Sequence, residues 1–177
     1  MKYSIFCLLK GKAKIYHQKL VKEYAKKFNE LYLIQFPLPS HITLKYPFEA
    51  SESMIKHLEE KLKEFCKTHK KSSILLSKIS NFDKKVVIIK ATFSKEAIKD
   101  YKELMQTLEK SGIKLKKFDK EKKFHATIVY GNSKESFEKI WKSASKLKPN
   151  LKIYLDNITL MKKSGKFWKV YKTFRMN

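Results

Sequence analysis

Two four-residue stretches decide how this chain folds: His41-Ile42-Thr43-Leu44 and His125-Ala126-Thr127-Ile128. Each reads as part of a β-strand, in which side chains at positions i and i+2 share a face. The imidazole and the hydroxyl of each stretch therefore point one way, and the apolar residues point the other way, into the core. Only five histidines occur in 177 residues, and the chance that two of them carry Thr two positions on is on the order of 2%. The pattern therefore indicates a shared structural role.

Outward from these strands, hydrophobic periodicity predicts the order β-α-β-α-β-β-α-β-α-β-β. The predicted strands cover 2–10, 41–48, 73–82, 85–93, 123–130, 151–162 and 166–175, and the predicted helices cover 14–30, 51–70, 94–111 and 133–147. A β-α-β-β unit then occurs twice, over 41–93 and 124–175, and each copy opens on a His-x-Thr strand.

This order predicts an α+β fold that is bilobal and internally duplicated. Two antiparallel sheets would form a central cleft, with the helices packed outside them. We expect residues 1–177 to be a single domain made of two pseudo-symmetric lobes, with the first His-x-Thr strand at about 41–48 and the second at about 123–130. The plainer alternative is a generic α+β sandwich in which the repeat is accidental.

The chain is strongly basic: 41 Lys and Arg residues against 17 Asp and Glu residues give a formal net charge of +24. Such a charge is typical of proteins that bind polyanions. Arg175 is the single arginine, whereas proteins that read nucleic acids favour arginine for its bidentate geometry. The lysine excess is therefore read in part as compositional. The hydrophobic fraction of 42% excludes a disordered chain.

Two cysteines, Cys7 and Cys66, form no CxxC motif and are predicted to be reduced thiols in a reducing compartment. The apolar run at the N-terminus is too short for a signal segment and ends at Lys10 without a cleavage site. No other apolar stretch approaches the length of a membrane span. We therefore expect a cytoplasmic monomer with no membrane contact and no obligate protein partner.

Two imidazoles that face each other across a cleft suit the cleavage of a phosphodiester. One neutral imidazole accepts a proton and one imidazolium donates a proton, and an ordinary histidine pKa of about 6.5 lets both forms coexist near neutral pH. The hydroxyls of Thr43 and Thr127 can hold the non-bridging phosphate oxygens. The sequence contains no HExxH motif and no cysteine pair at ligand spacing, so we expect neither a metal nor another cofactor.

The paired motifs make this chain resemble the 2H phosphoesterase superfamily, whose signature is two His-x-Ser/Thr-hydrophobic motifs. That superfamily includes the 2′-5′ RNA ligase-like proteins and the RNA cyclic phosphodiesterases. The chain is most similar to a bacterial branch known only as phosphoesterases, on three further pieces: Met1-Lys2-Tyr3, Ser40–Lys45 followed by Phe48-Glu49, and Trp168–Phe174.

The resemblance implies metal-independent hydrolysis of 2′,3′-cyclic phosphate or 2′-5′ phosphodiester bonds in RNA ends or small nucleotides, with ligation as the reverse reaction. It implies that His41 and His125 are the catalytic pair and that Thr43 and Thr127 bind the phosphate. Which histidine acts as base and which as acid stays open at this point.

Strand alternation also assigns faces to the neighbours of the motifs. Lys45 and Lys123 would share the faces of the two histidines and are possible substrate-binding residues. Tyr46 and Tyr130 would point away from the histidines, into the core. The three other histidines lie on predicted helices among lysines and are interpreted as surface residues: His17, His57 and His69.

Two other functions compete with the enzyme. One is a non-catalytic RNA- or nucleotide-binding protein that uses the same basic cleft. The other is an α+β scaffold whose basicity reflects composition alone. The presence of all four signature side chains favours the enzyme.

Overall fold

A computed structural model describes residues 1–177, which form eight strands and six helices. The strands are β1 (Lys2–Leu8), β2 (His41–Glu49), β3 (Ser72–Phe82), β4 (Val86–Phe93), β5 (His125–Tyr130), β6 (Leu151–Leu155), β7 (Asn157–Ser164) and β8 (Phe167–Arg175). The helices are α1 (Gly11–Phe28), α2 (Tyr32–Gln35), α3 (Glu52–Thr68), α4 (Lys95–Lys110), α5 (Lys117–Lys120) and α6 (Lys134–Ala144).

The strands form two four-stranded antiparallel sheets, which confirms the predicted α+β class. The first sheet has the order β2-β1-β7-β8, and the second sheet has the order β5-β4-β3-β6. The predicted β-α-β-β units occur as β2-α3-β3-β4 and β5-α6-β7-β8. In each unit the His-x-Thr strand lies in one sheet and the hairpin lies in the other, so the two units interlock and both sheets draw on both halves of the chain.

The two His-x-Thr strands, β2 and β5, lie at the edges of their sheets, and each pairs with a central strand. In the first sheet Phe6 of β1 lies opposite Thr43. In the second sheet Ile88 of β4 lies opposite Thr127. The two motifs therefore occupy corresponding positions in the two sheets.

The predicted strand over 151–162 is wrong in one respect, because it is two strands in different sheets. β6 pairs with β3, whereas β7 pairs with β1. The chain changes sheet at Asp156, and the next side chain, Asn157, takes the place of a backbone partner for Leu8: Leu8 N donates to Asn157 Oδ1 (2.9 Å) and Asn157 Nδ2 donates to Leu8 O (3.0 Å). That contact joins residues 149 positions apart, and no local periodicity reports it.

Local signals located most of the other elements. Ser51 caps α3 by accepting a hydrogen bond from Met54 N (3.2 Å), and the helix buries its predicted apolar stripe. Asp83 and Lys84 both have positive φ, 50° and 48°, which is the hairpin turn that matches the twist of β3 and β4. The short helices α2 and α5 were not predicted.

No helix combines the length and the apolar character that crossing a membrane requires.

Candidate active site

A cavity of about 220 Å³ lies between the two sheets and is lined by both His-x-Thr motifs. The first sheet contributes His41 and Thr43, and the second sheet contributes His125 and Thr127. The structure therefore brings together four side chains from motifs that are 84 residues apart in the sequence (125 − 41). Strand alternation orients them, because the intervening Ile42 and Ala126 are fully buried on the opposite faces.

Both imidazoles are held in the same tautomer by the backbone. His41 Nδ1 lies 2.7 Å from Pro39 O, and His125 Nδ1 lies 2.7 Å from Lys123 O. A carbonyl oxygen can only accept, so Nδ1 carries the proton in each ring and the neutral ring keeps Nε2 as a free acceptor. The two bonds have the same length and the same spacing of two residues, so the two histidines present the same nitrogen for proton transfer.

Aromatic rings fix the planes of the two imidazoles. His41 stacks on Phe6 with ring centroids 3.8 Å apart and planes 15° apart. Phe82 meets His125 edge-on, with centroids 4.8 Å apart. A ring clamped by a backbone carbonyl and an aromatic neighbour loses little further freedom when a ligand binds, which is the arrangement that proton transfer requires.

Burial lowers the pKa of both candidate histidines. The pKa of His41 falls to about 4 because its ring is removed from water, while the Pro39 carbonyl opposes the shift and the nearby His17 and His125 add to it. Burial also lowers the pKa of His125, with the Lys123 carbonyl opposing and the charge of Lys122 adding to the shift. Both imidazoles are therefore neutral near pH 7.

His17 also lines the cavity, and its prediction as a surface residue is wrong. It lies on α1 and is 7% exposed. Its Nε2 donates to Thr127 O (2.8 Å), so its Nδ1 accepts from Ser40 Oγ (2.9 Å). His17 thus ties the residue before His41 to the second motif. A signal was present, because Ala13, His17, Leu20 and Tyr24 form one buried stripe at helical spacing.

A β-bulge follows the threonine of each motif. Along β2 the pairing with β1 shifts by one residue between Thr43 and Lys45, and along β5 the pairing with β4 shifts by one residue between Thr127 and Val129. A bulge reverses the alternation of faces beyond it. The faces predicted for Lys45 and Tyr46 in β2, and for Tyr130 in β5, are therefore inverted. A second register shift in β2, between Lys45 and Phe48, returns Phe48 to the core.

The first consequence concerns Lys45, which does not line the cavity. The bulge turns its side chain inward, where it is fully buried and its Nζ lies 2.8 Å from Asp119 Oδ2. Asp119 is fully buried as well and accepts hydrogen bonds from the N–H groups of Tyr46 (3.1 Å) and Lys116 (2.8 Å). Lys45 therefore lies in a buried ion pair, and the prediction that its side chain shares the face of His41 is wrong.

The second consequence concerns Tyr46 and Tyr130, which were predicted to point into the core. Both follow their histidine by five residues, and both line the cavity. Lys123 lies outside this cavity, and only its carbonyl acts there, on His125. Lys123 is exposed and lines a neighbouring cavity.

No group of three or more His, Cys, Asp or Glu side chains is placed to hold a metal ion. The chemistry available in the cavity is that of imidazole nitrogens, threonine hydroxyls and tyrosine rings.

A family model describing the 2′-5′ RNA ligase superfamily matches residues 19–166. The chain belongs to the 2′-5′ RNA ligase superfamily. This match confirms the resemblance to the 2H phosphoesterases that the two motifs indicated. The matched segment includes both His-x-Thr strands and the β-bulges.

Curated relatives within this superfamily include two bacterial proteins. "Putative phosphoesterase OB1230" of Oceanobacillus iheyensis is 27% identical over 166 residues, which cover 90% of this chain and 94% of that protein. "Putative phosphoesterase GK0864" of Geobacillus kaustophilus is 34% identical over 83 residues, 46% of this chain and 43% of that protein. The alignment with the Geobacillus relative thus spans less than half of its length.

Solved structures share the fold over nearly the whole chain. The protein TT0787 of Thermus thermophilus superposes with a TM-score of 0.66 at 14% identity and covers 99% of this chain and 98% of that chain. Escherichia coli LigT in complex with 3′-AMP superposes with a TM-score of 0.64 at 13% identity, with the same coverage. At these identities the likeness shows the fold alone.

Proposed function

We propose that this protein is a metal-independent phosphoesterase that hydrolyses 2′,3′-cyclic phosphate or 2′-5′ phosphodiester bonds in RNA ends or small nucleotides. One observation carries the proposal: His41 and His125 approach one cavity from two sheets, in the same tautomer, with a threonine beside each. Membership of the superfamily, the phosphoesterase names of the relatives and the 3′-AMP bound by LigT support it.

In the proposed hydrolysis of a 2′,3′-cyclic phosphate, a water oxygen bonds to phosphorus and the bond from phosphorus to one ribose oxygen breaks. Nε2 of the neutral imidazole accepts the proton of the water. Nε2–H of the protonated imidazole donates a proton to the departing ribose oxygen. Either histidine fits either role, because the backbone holds both in the same tautomer, and the roles exchange in the reverse, ligating direction.

The hydroxyls of Thr43 and Thr127 are proposed to hold the two non-bridging oxygens. They flank the cavity on the same faces as the histidines, so one phosphate can contact both lobes at once. Hydrogen bonds from fixed donors strengthen as negative charge builds on these oxygens, which stabilises the transition state more than the bound substrate.

We propose that the negative charge of the substrate stabilises the protonated imidazole that acts as the acid. Burial keeps both histidines neutral in the free protein, and a bound phosphate anion favours the protonated form of the imidazole beside it. Substrate binding therefore recruits the proton that the leaving oxygen later receives. His17 acts as a positioning residue, because it fixes Ser40 and the Thr127 backbone on either side of the catalytic pair.

We further propose that residues 1–177 act as one domain of two pseudo-symmetric lobes, as a cytoplasmic monomer that needs no cofactor. The buried, unpaired cysteines Cys7 and Cys66 are compatible with a reducing compartment. The net charge of +24 would draw RNA ends to the cleft with a measurable dependence on salt.

Turnover of 2′,3′-cyclic nucleotides, RNA ending in a cyclic phosphate, and 2′-5′ oligonucleotides tests this function. We expect His41→Ala and His125→Ala each to lower kcat/KM by about 10²–10⁴-fold, the usual effect of losing a general acid or base. His57→Ala is the matched control, because His57 is an exposed histidine on α3. Binding without turnover, unaffected by the two histidine variants, would instead establish the non-catalytic binding protein.

A further inference from the structure

A second cavity lies next to Phe82, whose ring contacts His125. It measures about 490 Å³, and its lining includes Ser80 and Phe82 of β3, Lys90 and Thr92 of β4, and Lys122 and Lys123. We call it the lysine cavity. Three lysines and two hydroxyls in one concave site offer charge and hydrogen-bond donors to an anion.

The lysine cavity shares its wall with the cavity between His41 and His125, which we call the catalytic cavity. Phe82 lines the lysine cavity, and its ring contacts His125, with centroids 4.8 Å apart. Lys90 is the register partner of His125 across β4 and β5. Lys122 lines the lysine cavity, whereas Tyr46, whose ring lies against its Nζ, lines the catalytic cavity. The two cavities are therefore adjacent, and the Phe82–His125 and Lys122–Tyr46 contacts form the wall between them.

Lys122 stands at this junction with an amine that lacks an acceptor. Its Nζ is buried, has no hydrogen-bond partner and lies 3.4 Å from the centroid of the Tyr46 ring. The carboxylate whose charge acts on it is Asp119, but both oxygens of Asp119 already accept hydrogen bonds, from Lys45 Nζ and from backbone N–H groups. Lys90 and Lys123 form no salt bridge either.

A buried ammonium without an acceptor is costly, and proteins ordinarily pair such a group. Burial lowers the pKa of Lys122 to about 7, with Asp119 opposing the shift and Lys45 adding to it. An anion at the junction would restore the missing partner and the full charge. Lys122 therefore lacks a negatively charged partner, and the chain itself does not supply one.

We propose that the lysine cavity is a second anion-binding subsite, which takes a phosphate of the substrate separated by one nucleoside from the phosphate that reacts. This inference rests on the proposed function, since it places the reacting phosphate between His41 and His125. With this subsite, the protein would prefer a nucleotide or RNA end that carries a second phosphate to a nucleoside cyclic phosphate that carries only one.

Binding of two probes tests the subsite without any need for turnover. Adenosine 3′,5′-bisphosphate and 3′-AMP differ by one phosphate, and their affinities are measured by calorimetry on the full chain. We expect the wild type to bind the bisphosphate at least about tenfold more tightly, the effect of one charge-assisted contact. Lys122→Met and Lys90→Met should each reduce that ratio, and Lys26→Met, an exposed lysine on α1, should leave it unchanged.

Two results would overturn the subsite: a ratio near one in the wild type, or a wild-type ratio retained in every one of the two lysine variants that folds. Lys90 is exposed, so its variant stays informative even if Lys122→Met fails to fold. Failure of the proposed function has a different signature, which is the absence of turnover with the preference for the bisphosphate retained.

Discussion

Asp119→Asn is expected to lower the free energy of unfolding by about 3–5 kcal/mol, the usual cost of leaving one member of a buried ion pair without its partner. Asp119 and Lys45 are both fully buried, with Nζ and Oδ2 2.8 Å apart. The substitution keeps the shape of the side chain and one of its two acceptor oxygens, but it removes the charge opposite the ammonium and places an amide NH2 against one of the donors. The loss is large beside a typical total stability of about 5–15 kcal/mol.

Urea denaturation at pH 7, followed by circular dichroism, measures this loss. Glu135→Gln is the matched control, because Glu135 lies 2.7 Å from Lys139 in an exposed pair within α6, and solvent screens such pairs. Lys45→Met combined with Asp119→Asn should recover part of the stability, because no buried charge remains. Equal effects of Asp119→Asn and Glu135→Gln would refute the reasoning that burial makes the loss of Asp119 more costly than the loss of an exposed partner.

The pH dependence gives the same claim a second test. Burial alone would raise the pKa of Asp119, but hydrogen bonds from Lys45 Nζ and from the N–H groups of Lys116 and Tyr46 outweigh it, so the pKa lies below its ordinary value of 3.8. A carboxylate with a lowered pKa contributes stability that is complete above the unfolded-state value and is lost as the pH falls through the folded-state value. The difference between wild type and Asp119→Asn should therefore shrink below about pH 3.8.

Three further predictions concern activity. The value of kcat/KM should rise as the pH passes the pKa of His41, about 4, and fall as the pH passes the pKa of His125, which lies below 6.5. The same profile is expected whichever histidine is the acid, and a pH optimum above 7 would contradict it. Thr43→Val and Thr127→Val should each lower kcat/KM by about 10²-fold, measured with a 2′,3′-cyclic nucleotide. His17→Ala should cost about 1–3 kcal/mol of stability and lower kcat, with partial rescue of kcat by His17→Gln. Because His17 contributes to the lowered pKa of His41, the acid limb should move to higher pH in both variants.

Much of the fold could be predicted from the sequence because it depends on local signals. The α3 stripe, the Ser51 cap and the Asp83-Lys84 turn are each settled within a few residues. The change of sheet at Asp156 could not be predicted, because it depends on the bonds between Asn157 and Leu8 across the fold. An alternating pattern is the same whether or not the strand changes partners.

The candidate site, too, could be predicted from the sequence only in part. Alternation along a strand is enough to place His41 with Thr43, and His125 with Thr127, on common faces. It is not enough beyond the threonines, where a bulge in each strand sends Lys45 to Asp119 and brings Tyr46 to the cavity. Whether a bulge forms depends on the register with the neighbouring strand, which is a property of two distant segments.

The net charge also separates what the sequence determines from what only the tertiary structure decides. The sequence by itself established an excess of 24 positive charges and two histidine motifs suited to phosphodiester chemistry. Only the tertiary structure decided which lysines have a buried carboxylate and which do not: Lys45 is neutralised by Asp119, whereas Lys122, beside the same carboxylate, has no acceptor. Charge is additive along a chain, but pairing and desolvation depend on which groups the fold brings within a few ångströms, and that separates a structural lysine from one that can receive a ligand.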